Sequence, residues 1–369
     1  MRVKVCLLTS VHSAFDIRIF HKEAKTLAKA GYDVTLIAHH NKNEIVDGVN
    51  IVALHKPKSR FVRIFGITWR VFYLALCQHA DAYHFHDPEL IFIGMLLKLF
   101  GKKVIYDVHE DVPRQILTKH WIPCKIRPFL GKLIKFVESI SALGFNGIIT
   151  VTPSIAKNFP KHKTIIVQNF PILNEFSQFK ADNYSQRKSI IIYIGTISSL
   201  RGAKEMVEAM DLLPREIKSY LILMGKFSYP NLKNELKKIG GWDKVNFMDW
   251  QPRKYVEGIL LKARVGLVPF HPVPNHIESQ PNKFFEYMAA GIPIVVSDFP
   301  VWRKFVEDSG CGILVDPLNP NDIAHAIQWL LEHPDQAAAM GRRGQEAVKF
   351  KYNWENEAKK LIKFYKNLL

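Results

Sequence analysis

The stretch IESQPNKFFEYMAAGIPIVVSD, residues 277–298, governs the reading of the chain around it. Pro281 suits the first turn of a helix, where a missing N–H costs nothing, and Gly291 suits the left-handed residue that stops one. Behind that glycine, residues 292–297 form a short β-branched apolar run, the signature of a strand covered on both faces. A helix closed by glycine and followed at once by a buried strand is a piece of a βαβ unit.

The same alternation continues on both sides. Residues 189–194, 220–224, 245–248, 264–269 and 312–315 read as further strands, with a helix at 203–210. An earlier series places strands at 3–8, 34–37, 51–54, 82–85, 103–106, 148–151 and 164–167, with a helix over 21–30 that Gly31 stops. Strands separated by helices pair in parallel, which predicts doubly wound α/β sheets. The polar, aperiodic stretch 174–188 divides the two series. The expectation is an N-terminal domain at 1–170, a linker at 171–188, a C-terminal domain at 189–352 and a closing helix at 353–369. In that last segment Ala358, Leu361, Ile362, Tyr365 and Leu369 recur at helical spacing.

A chain of 369 residues suits two such domains, and 48% hydrophobic residues place it among folded proteins. Cys6, Cys77, Cys124 and Cys311 are scattered, with no pair at CxxC spacing, which speaks against a thiolate zinc site and for a reducing compartment. The best apolar run, 90–97, is cut by Lys98 and is too short to span a bilayer, and MRVKVCLLTS lacks the apolar core of a signal peptide. A cytoplasmic protein is expected. The formal charge is +17, with 24 basic and 12 acidic residues in 1–170 against 27 and 22 thereafter. That excess calls for an anionic partner of the first domain. Residues 56–70, KPKSRFVRIFGITWR, mix five cations with Phe61, Phe65 and Trp69. Residues 119–135 set Trp121, Ile126, Phe129, Leu130, Leu133 and Ile134 beside Lys125, Arg127, Lys132 and Lys135. Such segments either settle at anionic headgroups or pack as ordinary helices. No stacking or groove-reading motif supports nucleic acid.

Four places can carry chemistry. Glu278 and Glu286 would stand roughly 12 Å apart if the region were helical throughout. Two acceptor-only carboxylates at that separation suit an elongated polyhydroxy ligand such as a nucleotide sugar, or are two solvated glutamates. Gly195, a loop, then Arg201-Gly202 entering a helix make a plausible diphosphate cradle, or Arg201 is simply exposed at a helix start. In DAYHFHDPEL, residues 81–90, His84 and His86 share a strand face, Asp87 opens the next turn, and no carboxylate-rich or Cys cluster nearby supports a metal. The loop TSVHSAFDIR, residues 9–18, follows the first strand, where α/β ligands bind; Asp16 there either meets an acceptor hydroxyl or caps the next helix. His109 and Glu110 follow the 103–106 strand at the same edge.

Taken in order, DIRIFHKEAKTLAKAGYDVTLIA (16–38), HFHDPEL (84–90), YIGTISSLRGAKEMVEAM (193–210), the 277–298 stretch and YNWENEAKKLIKFYKNLL (352–369) resemble the retaining glycosyltransferases of family 4, which have the GT-B fold. The resemblance implies two Rossmann-like doubly wound domains facing a central cleft, with the donor in the C-terminal domain and the acceptor in the N-terminal one. It assigns Glu278 to the transferred sugar, Glu286 to the ribose hydroxyls, and His86 either to the donor sugar or to a place beside the reaction centre. Gly195 and Arg201 would hold the diphosphate with Lys204 or Lys226 as helpers, Asn282 and Lys283 would join the donor contacts, and the loop at Gln251 would enclose the base, with Trp250 either stacking or in the core. Thr196 stands where the family commonly has Arg, Arg201 replaces a Lys, and the Gly-rich loop after the first strand is missing. The implied activity is metal-independent and without cofactor: a sugar passes from a UDP- or GDP-type donor to a hydroxyl of a lipid-linked or membrane-associated glycan, in bacterial surface polysaccharide or lipopolysaccharide synthesis at the inner face of the membrane. A sugar-nucleotide epimerase of the same fold and an inactive membrane-bound glycan- or lipid-binding partner are the alternatives.

Overall fold

The computed structural model describes the chain except residues 1, 58, 60, 61, 120, 121, 174 and 176–183. Phe61 and Trp121 of the basic aromatic segments, and much of the stretch read as a linker, lie outside the described residues. The chain forms two compact units, one of Met1–Asn169 with Trp354–Leu369 and the other of Phe170–Asn353.

The first unit is an eight-stranded sheet of β1 (Lys4–Ser13), β2 (Asp33–His39), β3 (Glu44–Val46), β4 (Val49–Leu54), β5 (Ala82–Phe85), β6 (Lys103–Val108), β7 (Gly147–Thr150) and β8 (Thr164–Ile166), in the order 3-4-2-1-5-6-7-8. All neighbours pair in parallel except β3 with β4. Val5–Leu8 and the whole of β5 are buried, as strands covered on both faces must be. Strand β3 escaped the sequence because it is three residues long with Ile45 pointing to solvent. The first helical segment opens at Ile17 rather than 21, because Asp16 accepts hydrogen bonds from the N–H groups of Arg18 (2.8 Å) and Ile19 (3.0 Å). The helix Trp354–Leu368 packs into this unit: Trp354 Nε1 donates to Thr26 Oγ1 (3.0 Å), Glu357 accepts from the Gln168 N–H (2.9 Å), and the Tyr365 hydroxyl meets His84 Nδ1 (2.8 Å).

The second unit is a six-stranded, all-parallel sheet of β9 (Ile190–Ile194), β10 (Tyr220–Met224), β11 (Val245–Met248), β12 (Val265–Val268), β13 (Ile294–Ser297) and β14 (Gly312–Val315), in the order 11-10-9-12-13-14. The strand order reverses between β9 and β12, so the crevice outside their carboxyl ends is where such a sheet binds ligands. The 277–298 stretch is not helical throughout. A short helix, Pro274–Ile277, ends at Glu278, and a second, Asn282–Ala289, starts after Pro281 and closes before Gly291, whose φ is +66°. The two glutamates therefore belong to different elements, which removes the premise of the 12 Å estimate.

Candidate functional site

At the β9/β12 crevice the chain gathers cations around a glycine. Gly195 follows β9 with φ of +120°, and a Cβ there would lie 3.1 Å from Lys283 Nζ and 3.9 Å from the Arg201 guanidinium. Only glycine allows both the backbone angle and the approach. Arg201 ends a turn that leads into the helix Ala203–Leu212 and lies over the Phe270 ring (5.4 Å to its centroid). Tyr193 fixes the loop by donating its hydroxyl to the Thr196 carbonyl (2.7 Å). Lys283, in the first turn of Asn282–Ala289, is buried with its Nζ 3.7 Å from the centre of the Tyr193 ring and without a hydrogen-bond partner. Burial, and then the neighbouring Arg201, push its ammonium well below the usual lysine range. A buried ammonium beside a guanidinium, at a glycine that lets backbone come close, is built to receive an anion.

The three lysines read as donor contacts stand differently. Lys204 points outward and pairs with Glu208 (3.4 Å), and Lys226 is exposed; Lys283 stands at the glycine instead. Glu286, one helical turn from Lys283, is held by Arg253, whose Nη1 lies 2.7 Å from Glu286 Oε1. Arg253 was not singled out in the sequence. Gln251 is half-buried in the loop after β11, and Trp250 is exposed, not core. Glu278 is half-buried at the end of its short helix.

In the first unit, the carboxyl edge of β1, β5 and β6 holds a dense polar network. Asp87 caps no helix; it accepts from Thr9 Oγ1 (2.7 Å) and from the Ser10 N–H (2.6 Å), which clamps the loop after β1. His86 does not open to solvent at the strand end: its side chain is fully buried, 2.9 Å from His109 through Nδ1, and burial followed by the adjacent His84 keeps it neutral. His109 is the partly exposed ring above it, and Glu110 accepts from Gln115 Nε2 (2.6 Å). Asp16, besides capping, faces His12 Nδ1 at 3.2 Å; against its burial, that bond lowers it to about 2.

Two carboxylates do accompany the histidines, contrary to the sequence expectation. The donor atoms of Glu23, His84, His86 and Asp107 all lie within 4.8 Å of one another. Arg18 already fills the cation's place, with Nε 2.9 Å from Glu23 Oε1 and Nη2 2.9 Å from Asp107 Oδ2. Burial and the nearby Asp107 raise Glu23 well above the carboxylate range, whereas Arg18 holds Asp107 well below it despite its burial. Arg18 thus supplies the positive charge between the two acids.

One surface of the first unit is inside out. The helix Arg127–Gly144 buries Gly131, Glu138, Ser141 and Ala142 and exposes Phe129 (68%), Phe136 (62%) and Leu143 (67%) together with Leu133, Val137 and Ile140. The helix Ile91–Leu99 continues the patch with exposed Phe92, Met95 and Leu99, and Trp69 of the helix Thr68–Cys77 packs edge-on to Phe92 at 6.0 Å. Lys132, Lys135 and Arg70 are exposed on these same helices. No helix among the described residues is long and apolar enough to cross a membrane.

Comparison with known proteins agrees with this geometry. Residues 174–347 match the family described as Glycosyl transferases group 1, and residues 18–167 match Glycosyltransferase Family 4. An uncharacterized glycosyltransferase of Methanocaldococcus jannaschii is 24% identical over 93% of this chain and 92% of its own length. Among solved structures, sucrose-phosphate synthase from Thermosynechococcus elongatus superposes with a TM-score of 0.79 at 19% identity, covering 100% of this chain and 99% of that one. HepE of Anabaena in complex with UDP-glucose gives 0.72 at 12% identity, covering 99% and 100%. With one unit matching each of the two glycosyltransferase families, a relative named as a glycosyltransferase aligned along most of the chain, and the fold shared with these solved structures, the protein is a glycosyltransferase of the GT-B fold.

Proposed function

We propose that the second unit binds a nucleoside diphosphate sugar and that the chain transfers the sugar, with retention, to a hydroxyl of a lipid-linked glycan. The observation that carries this reading is Lys283 beside Arg201 at Gly195, a buried ammonium without a hydrogen-bond partner. In transfer, the bond from the anomeric carbon to the β-phosphate oxygen breaks and its electron pair stays on the diphosphate. The acceptor oxygen bonds to the same face, and its proton passes to the departing phosphate. Lys283 and Arg201 stabilise the charge that develops there, where such catalysis draws most of its power. Glu286 takes the ribose hydroxyls and Glu278 those of the sugar. HepE, of the same fold, binds UDP-glucose, which supports a nucleotide-sugar donor.

The membrane enters through the inside-out helix. Six large apolar side chains facing water on one helix, continued by Phe92, Met95 and Leu99 and flanked by lysines, suit the headgroup boundary of an anionic bilayer. The protein is expected to sediment with phosphatidylglycerol vesicles at low salt, and Phe129→Ser with Phe136→Ser to abolish this; equal sedimentation of the double variant would remove the membrane from the reading.

The test of the donor site is a thermal shift with UDP, GDP and their sugars. A nucleotide at about a hundred times its dissociation constant adds ~2.7 kcal/mol of stability. A shift with one base that vanishes in Lys283→Met supports the site; no shift with any of them, on folded protein, sinks it. Acceptor-dependent release of nucleoside diphosphate then separates a transferase from an epimerase and from an inactive partner.

A further inference from the structure

Arg253 begins the helix Arg253–Leu260, just beyond the loop read as enclosing the base, and faces three carboxylates. Its Nη1 lies 2.7 Å from Glu286 Oε1, its Nη2 2.7 Å from Glu175 Oε2, and its Nε 3.4 Å from Glu257 Oε1. Glu257 lies on Arg253's own helix, while Glu175 and Glu286 come from two other segments of the second unit, so both terminal nitrogens of the guanidinium are hydrogen-bonded and one of them holds Glu286. Glu286 and Lys283 are also three residues apart on one helix, the spacing at which a Glu and a Lys reach each other. Yet Lys283 Nζ has no hydrogen-bond partner, and Glu286 is turned to Arg253.

From this arrangement we infer that Arg253 is a positioning residue that holds Glu286 away from Lys283, so that the carboxylate stays open to a ribose diol and the ammonium to a diphosphate. The inference rests on the donor reading above. Without Arg253, Glu286 is left beside Glu175 and Glu257, and Lys283, three residues away on the same helix, is a cation it can turn to. Pairing of those two closes both subsites at once: the carboxylate no longer meets the ribose, and the lysine is already protonated before any phosphate arrives.

The experiment is a cycle of variants against ligands. Binding of UDP and GDP, each with its 2′,3′-dideoxy counterpart, is measured by calorimetry on wild type, Arg253→Ala, Arg253→Lys and Glu286→Ala, in two buffers of different ionisation enthalpy. In the wild type the base that binds should lose at least tenfold on removal of the ribose hydroxyls and should take up a proton on binding, as Lys283 becomes charged. Arg253→Ala should shrink the tenfold preference to less than threefold and abolish the proton uptake, and Arg253→Lys should restore part of both. Arg253→Ala that weakens ribo- and dideoxynucleotide equally and keeps the proton uptake overturns the inference, because that is what a merely structural arginine would do. Glu286→Ala separates the two levels. If it abolishes the ribose preference while Arg253→Ala retains it, the positioning role falls and the donor reading stands. If it leaves the preference intact, the assignment of Glu286 falls and this inference with it. Should Arg253→Ala not fold, Arg253→Gln is read in its place, a wild-type ribose preference and proton uptake in it overturning the inference.

Discussion

A lysine enclosed by Tyr193, Phe270 and a glycine is costly to keep charged, and the cost is recovered when a phosphate arrives. Burial and Arg201 lower its free value; a bound diphosphate raises it again. Between the two values the complex holds a proton that the free protein lacks, so nucleotide affinity falls as pH rises through that window. The slope should vanish in Lys283→Met, which affinity at pH 7 and pH 9 would show. The resemblance placed this residue among the donor contacts, but not at the glycine that ends β9. Lys204 and Lys226 sit nearer Arg201 and Gly225 in the chain, and nothing in spacing says that the first turn of another helix carries its lysine back to the end of β9. Arg253 was less legible still, because its meaning comes from Glu175, Glu257 and Glu286, which only the fold brings together. The glutamates 278 and 286 and Gly195 were readable because local sequence (proline, glycine, apolar run) frames each of them. His86 was readable as a strand-end residue, but its burial under His109 was not, since the covering ring follows the end of the neighbouring strand β6.

At the scale of elements, the strands were the easiest part. β9 and β10 run as continuous apolar stretches because both faces are covered, and alternation of strand and helix then dictates parallel pairing. Orientation of an amphipathic helix is a different matter. The stripe in Arg127–Gly144 is plain in the sequence, and such a stripe ordinarily faces a core; here the face that packs is Gly131, Glu138, Ser141 and Ala142. Gly131 allows the close approach: a Cβ there would lie 3.1 Å from the Pro113 carbonyl. The inverted packing puts a carboxyl inside, where burial raises Glu138 to about 7 although the Tyr106 hydroxyl donates to it at 3.0 Å. Its unfolded value is the ordinary 4.5, so between these pH values the folded state keeps a proton that the unfolded chain releases. Stability is therefore whole below 4.5 and falls as pH rises toward 7, by on the order of 3 kcal/mol at most. Glu138→Gln cannot ionise; its melting temperature should gain on the wild type between pH 5 and pH 8. A constant gap between the two would show that the buried carboxyl does not set the pH dependence. In the second unit, Gly266 lets the Tyr287 ring lie against β12, 2.4 Å from where a Cβ would stand, while its hydroxyl accepts from the Ile194 N–H (3.0 Å). Gly266→Ala should cost about 1–3 kcal/mol in denaturant unfolding. It should weaken nucleotide binding too, because Tyr287 belongs to the helix that carries Lys283 and Glu286.

For the molecule as a whole, the division into units does not follow the order of the chain. The first unit takes 169 residues from one end and closes with Trp354–Leu369, after the entire second unit has intervened. That last helix is structural: Tyr365 reaches His84, Lys103 Nζ donates to the Leu368 carbonyl (2.8 Å), and Phe364 packs so tightly on Gly147 that a Cβ would lie 2.3 Å from it. A chain ending at Asn353 should keep slow amide exchange in β9, β10 and β12 and lose it in β5 and β6; protection retained in both sheets would show the helix to be dispensable. The same connectivity has a consequence for synthesis. The unit that leaves the ribosome first is the last to be completed, for it waits on residues some 180 positions behind it while its neighbour already has every strand it needs. During that interval a nascent chain carries an unsealed first sheet and a helix whose apolar side faces outward by design, and it is there that a chaperone or a membrane surface has most to gain by taking hold.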